Sequence, residues 1–182
     1  MFNKTGGDRM RRYIDFDGVV VDTSPLLFKE WQQMKYSTLT EEDKIEYVKK
    51  QNWEVILNNS PIINDSMYIL KQLNTCENAI LTTVHSLENE GVSKVKYLRK
   101  NGVLLPIIVV PYLVDKIQIV NPQNNILIDD RIYNLDVWNN AMGHAIFFNK
   151  DNLDIDEWNV KNFDYPKIST LNDLDKIKIK RK

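Results

Sequence analysis

The chain has 182 residues, 43% of them hydrophobic, and its 24 Lys and Arg stand against 25 Asp and Glu for a net charge of −1. This length buries one sizeable core with room for a small insert; 27% charged residues beside 10% aromatics excludes a disordered chain, and near neutrality excludes the basic footprint of a nucleic-acid coat. Cys76 alone excludes an internal disulfide, two histidines leave a structural zinc site short of ligands, and neither a membrane-length apolar run nor an apolar secretion segment at residues 1–9 is found, so the expected location is cytoplasmic.

The first element is the run Arg12-Tyr13-Ile14-Asp15-Phe16-Asp17-Gly18, an apolar strand that ends in two aspartates two residues apart and a glycine. Aspartate is a poor strand former, so the pair needs a reason. Residues 24–75 contain no good strand. Apolar positions at Leu27/Trp31/Met34, at Ile45/Val48 with Trp53/Ile56/Leu57, and at Ile63/Met67/Leu70 predict three amphipathic helices, with Pro25 and Pro61 at first-turn positions.

Short β-branched runs follow at 78–83, 106–110, 125–130 and 144–148, the pattern of strands buried on both faces. Between them Val92, Val95 and Leu98 predict a helix over 86–100, stopped at Asn101-Gly102. Leu135, Trp138 and Met142 predict another, capped by Asn134 and closed at Gly143, and Leu171, Leu174 and Ile177 predict a last helix over 170–178. The alternation gives an α/β fold, a Rossmann-like parallel sheet with helices on both faces and a small helical cap inserted after strand one. The domain reading is an α/β core of 9–23 and 76–182, with a cap of 24–75 standing over the carboxyl ends of the strands, where open α/β sheets bind ligands.

Three features converge on that edge: Asp15 and Asp17, Thr82-Thr83, and Asp129-Asp130, with Lys116 before the fourth strand and Lys94 on the helix after the second. Four crowded carboxylates repel unless a cation sits among them, and oxygen-only ligation suits Mg²⁺. An acidic metal site with a hydroxyl and one or two lysines is what phosphoryl transfer requires, since positive charge must offset charge developing on the phosphoryl oxygens. The residues allow that reading without demanding it.

Asp15-Phe16-Asp17-Gly18-Val19-Val20, Ile80-Leu81-Thr82-Thr83, Lys116 and Ile126-Leu127-Ile128-Asp129-Asp130 resemble the four ordered motifs of the haloacid dehalogenase (HAD) superfamily, over roughly residues 12 to 150. The resemblance implies Asp15 as a nucleophile that forms an aspartyl-phosphate and Asp17 as general acid and base. The dehalogenase branch lacks a carboxylate at the position of Asp17, so its presence implies phosphatase or phosphotransferase chemistry. Mg²⁺ would be held by the Asp15 carboxylate, the Asp17 backbone carbonyl and Asp130, with Asp129 touching the metal shell through water or orienting Lys116. Thr82, helped by Thr83, would bind the phosphoryl group, and Lys116 would neutralise it. Asp129-Asp130-Arg131-Ile132-Tyr133-Asn134-Leu135, with Trp138, Gly143 and Ile146-Phe147-Phe148-Asn149, is similar to the 5′(3′)-deoxyribonucleotidase branch. That likeness implies a nucleoside monophosphate as substrate and Lys94 as a second phosphate contact.

Trp31, Tyr36 and Trp53 are candidates to stack on a base, against the simpler role of filling a small helical core. His85 borders the second motif and either lines the pocket or starts a helix. The basic C-terminus, residues 176–182, reads as a solubilising tail. The expected function is a Mg²⁺-dependent 5′-nucleotidase on (deoxy)nucleoside monophosphates. A polynucleotide 3′-phosphatase, a sugar-phosphate phosphatase and a non-catalytic nucleotide-binding module are the alternatives. The expected partner is a small phosphomonoester, with no membrane and no stable nucleic-acid complex, and a homodimer is left open.

Overall fold

Six parallel strands in the order β3-β2-β1-β4-β5-β6 carry the molecule: β1 (Arg12–Ile14), β2 (Asn78–Val84), β3 (Ile107–Pro111), β4 (Ile126–Asp129), β5 (His144–Phe148) and β6 (Lys167–Ile168). The computed structural model describes residues 10–29, 40–151, 165–177 and 179. Side chains alternate across the strands, and both faces are apolar. Tyr13, Ala79, Leu81, Leu127 and Ala145 pack on one face with Leu135 and Trp138, while Ile14, Ile80, Ile128 and Ile146 pack on the other with Leu57, Leu98 and Leu171. The expected doubly covered parallel sheet is therefore what the chain forms.

The helices are α1 (Ser24–Leu27), α2 (Glu41–Lys50), α3 (Trp53–Asn59), α4 (Ser66–Leu70), α5 (Val92–Lys100), α6 (Lys116–Ile119) and α7 (Ile132–Asn140). Val48, Trp53, Ile56, Leu57, Met67 and Leu70 share one buried cluster with Ile14, Phe16 and Ile128, so α2 to α4 are packed continuously with the sheet. Neighbouring β1 and β4 begin connections that leave on opposite sides of the sheet. Their carboxyl ends thus flank the crevice where the strand order switches, the place where open parallel sheets bind ligands. Pairing runs past the end of β1, because the Asp15 N–H donates to the Ile128 carbonyl at 2.9 Å.

Several predicted elements are corrected. The helix expected to run from Ile45 to Leu57 is two helices, because Asn52 accepts from the Val55 N–H at 3.1 Å and caps a new start. Pro61 opens no helix; its carbonyl accepts from Asp22 N–H, Ile62 bridges Val21, and α4 begins only at Ser66. The helix expected over 86–100 opens with a π-helical turn, Leu87–Gly91, and the last helix is a 3₁₀ segment, Leu171–Lys176. Asn134 is not a cap but lies inside α7, which starts after Arg131. Chain reversal after α7 falls to Met142 at φ 65°, while Gly143 is needed for space: a Cβ there would lie 2.2 Å from Nε1 of Trp138. Among the described residues no helix is long and apolar enough to cross a membrane.

Candidate active site

The floor of the crevice is built by β1, β4 and α6. Asp15 is buried, and Lys116 Nζ lies 2.9 Å from its Oδ1 and 2.6 Å from Oδ2 of Asp129. Burial pushes the Asp15 carboxyl up to about 6; Lys116 pulls against that, and Asp129 and Asp17 add to it. Burial pulls the Lys116 ammonium down, but its two carboxylates outweigh burial and raise it above the ordinary lysine range. Asp129 is fully buried, with Oδ2 also accepting from Asn134 Nδ2 at 2.9 Å and Oδ1 from the Arg131 N–H at 2.8 Å. Asp130 stands beside Gly18, whose φ of +73° is in the left-handed region; a Cβ at Gly18 would lie 2.0 Å from Asp130 Oδ2.

The wall is built by the loop after β1, the end of β2 and the π-turn. Asp17 Oδ1 accepts from Thr23 Oγ1 at 2.9 Å and Oδ2 from Lys94 Nζ at 2.5 Å. Lys94 is fully buried and also donates to Glu90 Oε1 at 2.6 Å, the Thr83 carbonyl at 3.2 Å and Thr82 Oγ1 at 3.4 Å. Burial pulls the Lys94 ammonium down, and Asp17 and Glu90 more than reverse it. Glu90 is likewise pushed up by burial but held below the ordinary carboxylate range by Lys94 and His85. Its Oε2 accepts the His85 N–H at 2.7 Å.

These walls enclose a cavity of about 480 Å³. Of the predicted site residues, Asp15, Asp17, Thr83, His85, Lys116 and Trp53 line it. Thr82, Lys94, Asp129 and Asp130 stand behind that lining; the Thr82 side chain is fully buried, so Thr83 is the threonine at the cavity surface. Trp53 is 2% exposed, its ring lies under Lys94 Nζ at 5.1 Å, and its indole N–H donates to Val48 O. Trp31 and Tyr36 lie outside the described residues. Sequence reasoning missed Thr23, Glu90 and Arg131 and gave Asn134 another task. Only the immediate succession Asp129-Asp130-Arg131 pointed to one of them.

No protein-family model matches the sequence. No curated protein matches it either. Solved structures do: a HAD phosphatase from Thermococcus onnurineus is similar with a TM-score of 0.62 at 12% identity, over 92% of this chain and 96% of that one. A hydrolase from Pseudomonas syringae matches with a TM-score of 0.61 at 14% identity, over 93% and 100%. The chain has the haloacid dehalogenase fold. A HAD-hydrolase from Bacillus subtilis, solved bound to magnesium, shares it with a TM-score of 0.57 at 13% identity, over 91% and 97%.

On this HAD fold the donor set suits a hard divalent cation. Asp15, Asp129 and Asp130 each offer an oxygen within 4.8 Å of the others. The buried Oδ1 of Asp130 has no hydrogen-bond partner among the described residues, and burial together with Asp129 and Asp15 drives that carboxyl well above its ordinary range. Asp129 is already occupied by Lys116, Asn134 and the Arg131 N–H, so Asp15 and Asp130 are the carboxylates left to bind. Among the described residues, the five acids Asp15, Asp17, Glu90, Asp129 and Asp130 face three Lys or Arg side chains, Lys94, Lys116 and Arg131. A dication balances that count.

Proposed function

We propose that this cavity is the active site of a phosphomonoester hydrolase that uses Asp15 as nucleophile and Asp17 as general acid and base, with a (deoxy)nucleoside 5′-monophosphate as substrate. The observation that carries the reading is the different setting of the two carboxylates. Asp15 lies buried on the floor with Oδ1 on Lys116, whereas Asp17 stands on the wall with one oxygen on Thr23 and the other on Lys94. Two acids so differently held suit two roles.

In the first half-reaction an oxygen of Asp15 attacks phosphorus, the bond from phosphorus to the leaving oxygen breaks, and Asp17 delivers a proton to that oxygen. In the second, Asp17 takes the proton back from a water that attacks the phosphorus. The bond from phosphorus to Asp15 then breaks, freeing phosphate and Asp15. Thr83 on the wall and Lys116 on the floor both line the cavity and would meet the phosphoryl oxygens, with Thr82 buried behind that lining, and Asn134 and Lys116 hold Asp129 still. Lys94 meets the site through Asp17, whose carboxylate it orients. Mg²⁺, held by Asp15, Asp130 and the Asp17 backbone carbonyl, supplies charge neutralisation of the phosphoryl group when bound.

The test is phosphate release from nucleoside monophosphates, sugar phosphates and 3′-phosphorylated oligonucleotides, with Mg²⁺ and with chelator. Mg²⁺-dependent release from nucleoside monophosphates, abolished by Asp15→Asn, is expected. Release from the oligonucleotides or the sugar phosphates alone would replace the substrate. Release from none would leave a binding module.

A further inference from the structure

We infer that Tyr112, Leu113 and Tyr133 form a ring-binding rim at the mouth of the cavity, which selects a leaving group carrying a flat aromatic heterocycle. This rests on the reading of the cavity floor as a phosphate site. Three of the molecule's exposed large apolar side chains meet at that one cavity, where Leu113 is 87% and Tyr133 66% exposed. Single exposed apolar residues are ordinary, but a group of them around a charged floor is a binding surface.

The rim is held in place before any ligand arrives. The Tyr112 ring stacks on His85, with centroids 4.3 Å apart and planes 24° from parallel, and His85 is fixed in turn through Glu90. The Tyr112 N–H donates to the Val84 carbonyl at 2.9 Å, and the Val114 N–H to the Pro111 carbonyl at 2.9 Å, so the loop carrying Leu113 is tied at both ends. Tyr133 donates its hydroxyl to Asp115 Oδ1 at 3.3 Å. Ring faces oriented in advance lose little freedom when a base stacks on them. A polyol leaving group would instead find apolar surface where it needs hydrogen-bonding groups. Trp53 cannot supply the stacking face, because its ring is covered by Lys94 and its indole N–H is taken by Val48.

The experiment is calorimetric titration of Asp15→Asn with adenosine 5′-monophosphate, thymidine 5′-monophosphate and ribose 5-phosphate in Mg²⁺. At least tenfold tighter binding of the nucleotides than of ribose 5-phosphate is expected. Adding Tyr112→Ala or Tyr133→Ala should collapse that ratio towards one, whereas Tyr68→Ala, on an exposed tyrosine of α4 outside the cavity lining, should retain it. A ratio near one in Asp15→Asn itself, a ratio kept in both rim variants, or an equal fall with Tyr68→Ala would overturn the inference. Leu113→Asn replaces a side chain that buries almost nothing, so it lowers the ratio with no loss of fold should a tyrosine variant be unstable. Turnover is not read, so a failure of wild-type protein to release phosphate would sink the hydrolase reading and leave this comparison standing.

Discussion

At Asp15 burial drives the carboxyl up to about 6, against an ordinary value of 3.8, with Lys116 opposing and Asp129 and Asp17 reinforcing the rise. Between about pH 4 and 6 the metal-free folded state therefore binds this proton more tightly than the unfolded chain does. The stability it brings is fully present below pH 3.8 and is lost as pH rises through 6. Asp15→Asn removes that loss: in chelator its Tm should exceed that of wild type at pH 7, and the gap should close towards pH 4. A pH-independent gap in thermal melts would contradict this origin. Gly18 carries a second prediction, since its positive φ and the 2.0 Å approach of Asp130 Oδ2 leave no place for a methyl group. Gly18→Ala should cost about 1 kcal/mol or more in urea unfolding and weaken Mg²⁺ binding by displacing Asp130. At this scale Asp15, Asp17, Asp129 and Asp130 were readable because carboxylates at strand ends are costly without a function. Thr23 and Glu90 were not, because a Thr before a helix and a Glu four residues before a Lys are also what ordinary caps and surface pairs look like.

The π-turn Leu87–Gly91 and α5 act together to bury Glu90 and Lys94 beside each other and aim the lysine at Asp17. A hydrophobic repeat at Val92, Val95 and Leu98 locates the helix but carries no mark of a widened first turn, which is common near functional sites. Lys94→Met leaves the buried Glu90 without its cation and should destabilise by about 3–5 kcal/mol, whereas Glu90→Gln leaves Lys94 paired with Asp17 and should cost less. The double variant should cost clearly less than the sum in denaturant unfolding; strict additivity would contradict a coupled pair. Lys94→Met should also slow turnover, because Asp17 loses one of its two positioning donors. The break between α2 and α3 follows the same logic as the missed turn. Apolar residues on both sides of Gln51-Asn52 continue a helical face, and only the cap bond from Asn52 reveals the restart. The two-residue β6 is too short for any period to register.

For the whole molecule, the alternation of strand and helix and the doubly apolar strands made the parallel sheet readable in advance, whereas the order β3-β2-β1-β4-β5-β6 was not, because the same alternation serves several doubly wound orders. What the sequence left open is the continuous packing of α2 to α4 with the sheet, which places Trp53 under Lys94 as a structural ring; among the described residues, the exposed large apolar side chains that line the cavity are Tyr112, Leu113 and Tyr133. A cation bound only by the folded state stabilises all of it by mass action: Mg²⁺ at a hundred times its Kd should add about 2.7 kcal/mol, several degrees in Tm for a chain of this size. Asp130→Asn should reduce that gain sharply. The central claim is that phosphate passes through Asp15, and the most direct test is to trap it there. With a ³²P-labelled aryl phosphate, whose leaving group needs no proton, Asp17→Asn can still be phosphorylated but has lost the base that activates water. Acid-quenched Asp17→Asn should carry hydroxylamine-labile label that maps to the peptide containing Asp15, and Asp15→Asn should carry none. Phosphate release by wild type with no label on Asp17→Asn, or with the same label on Asp15→Asn, would contradict the account.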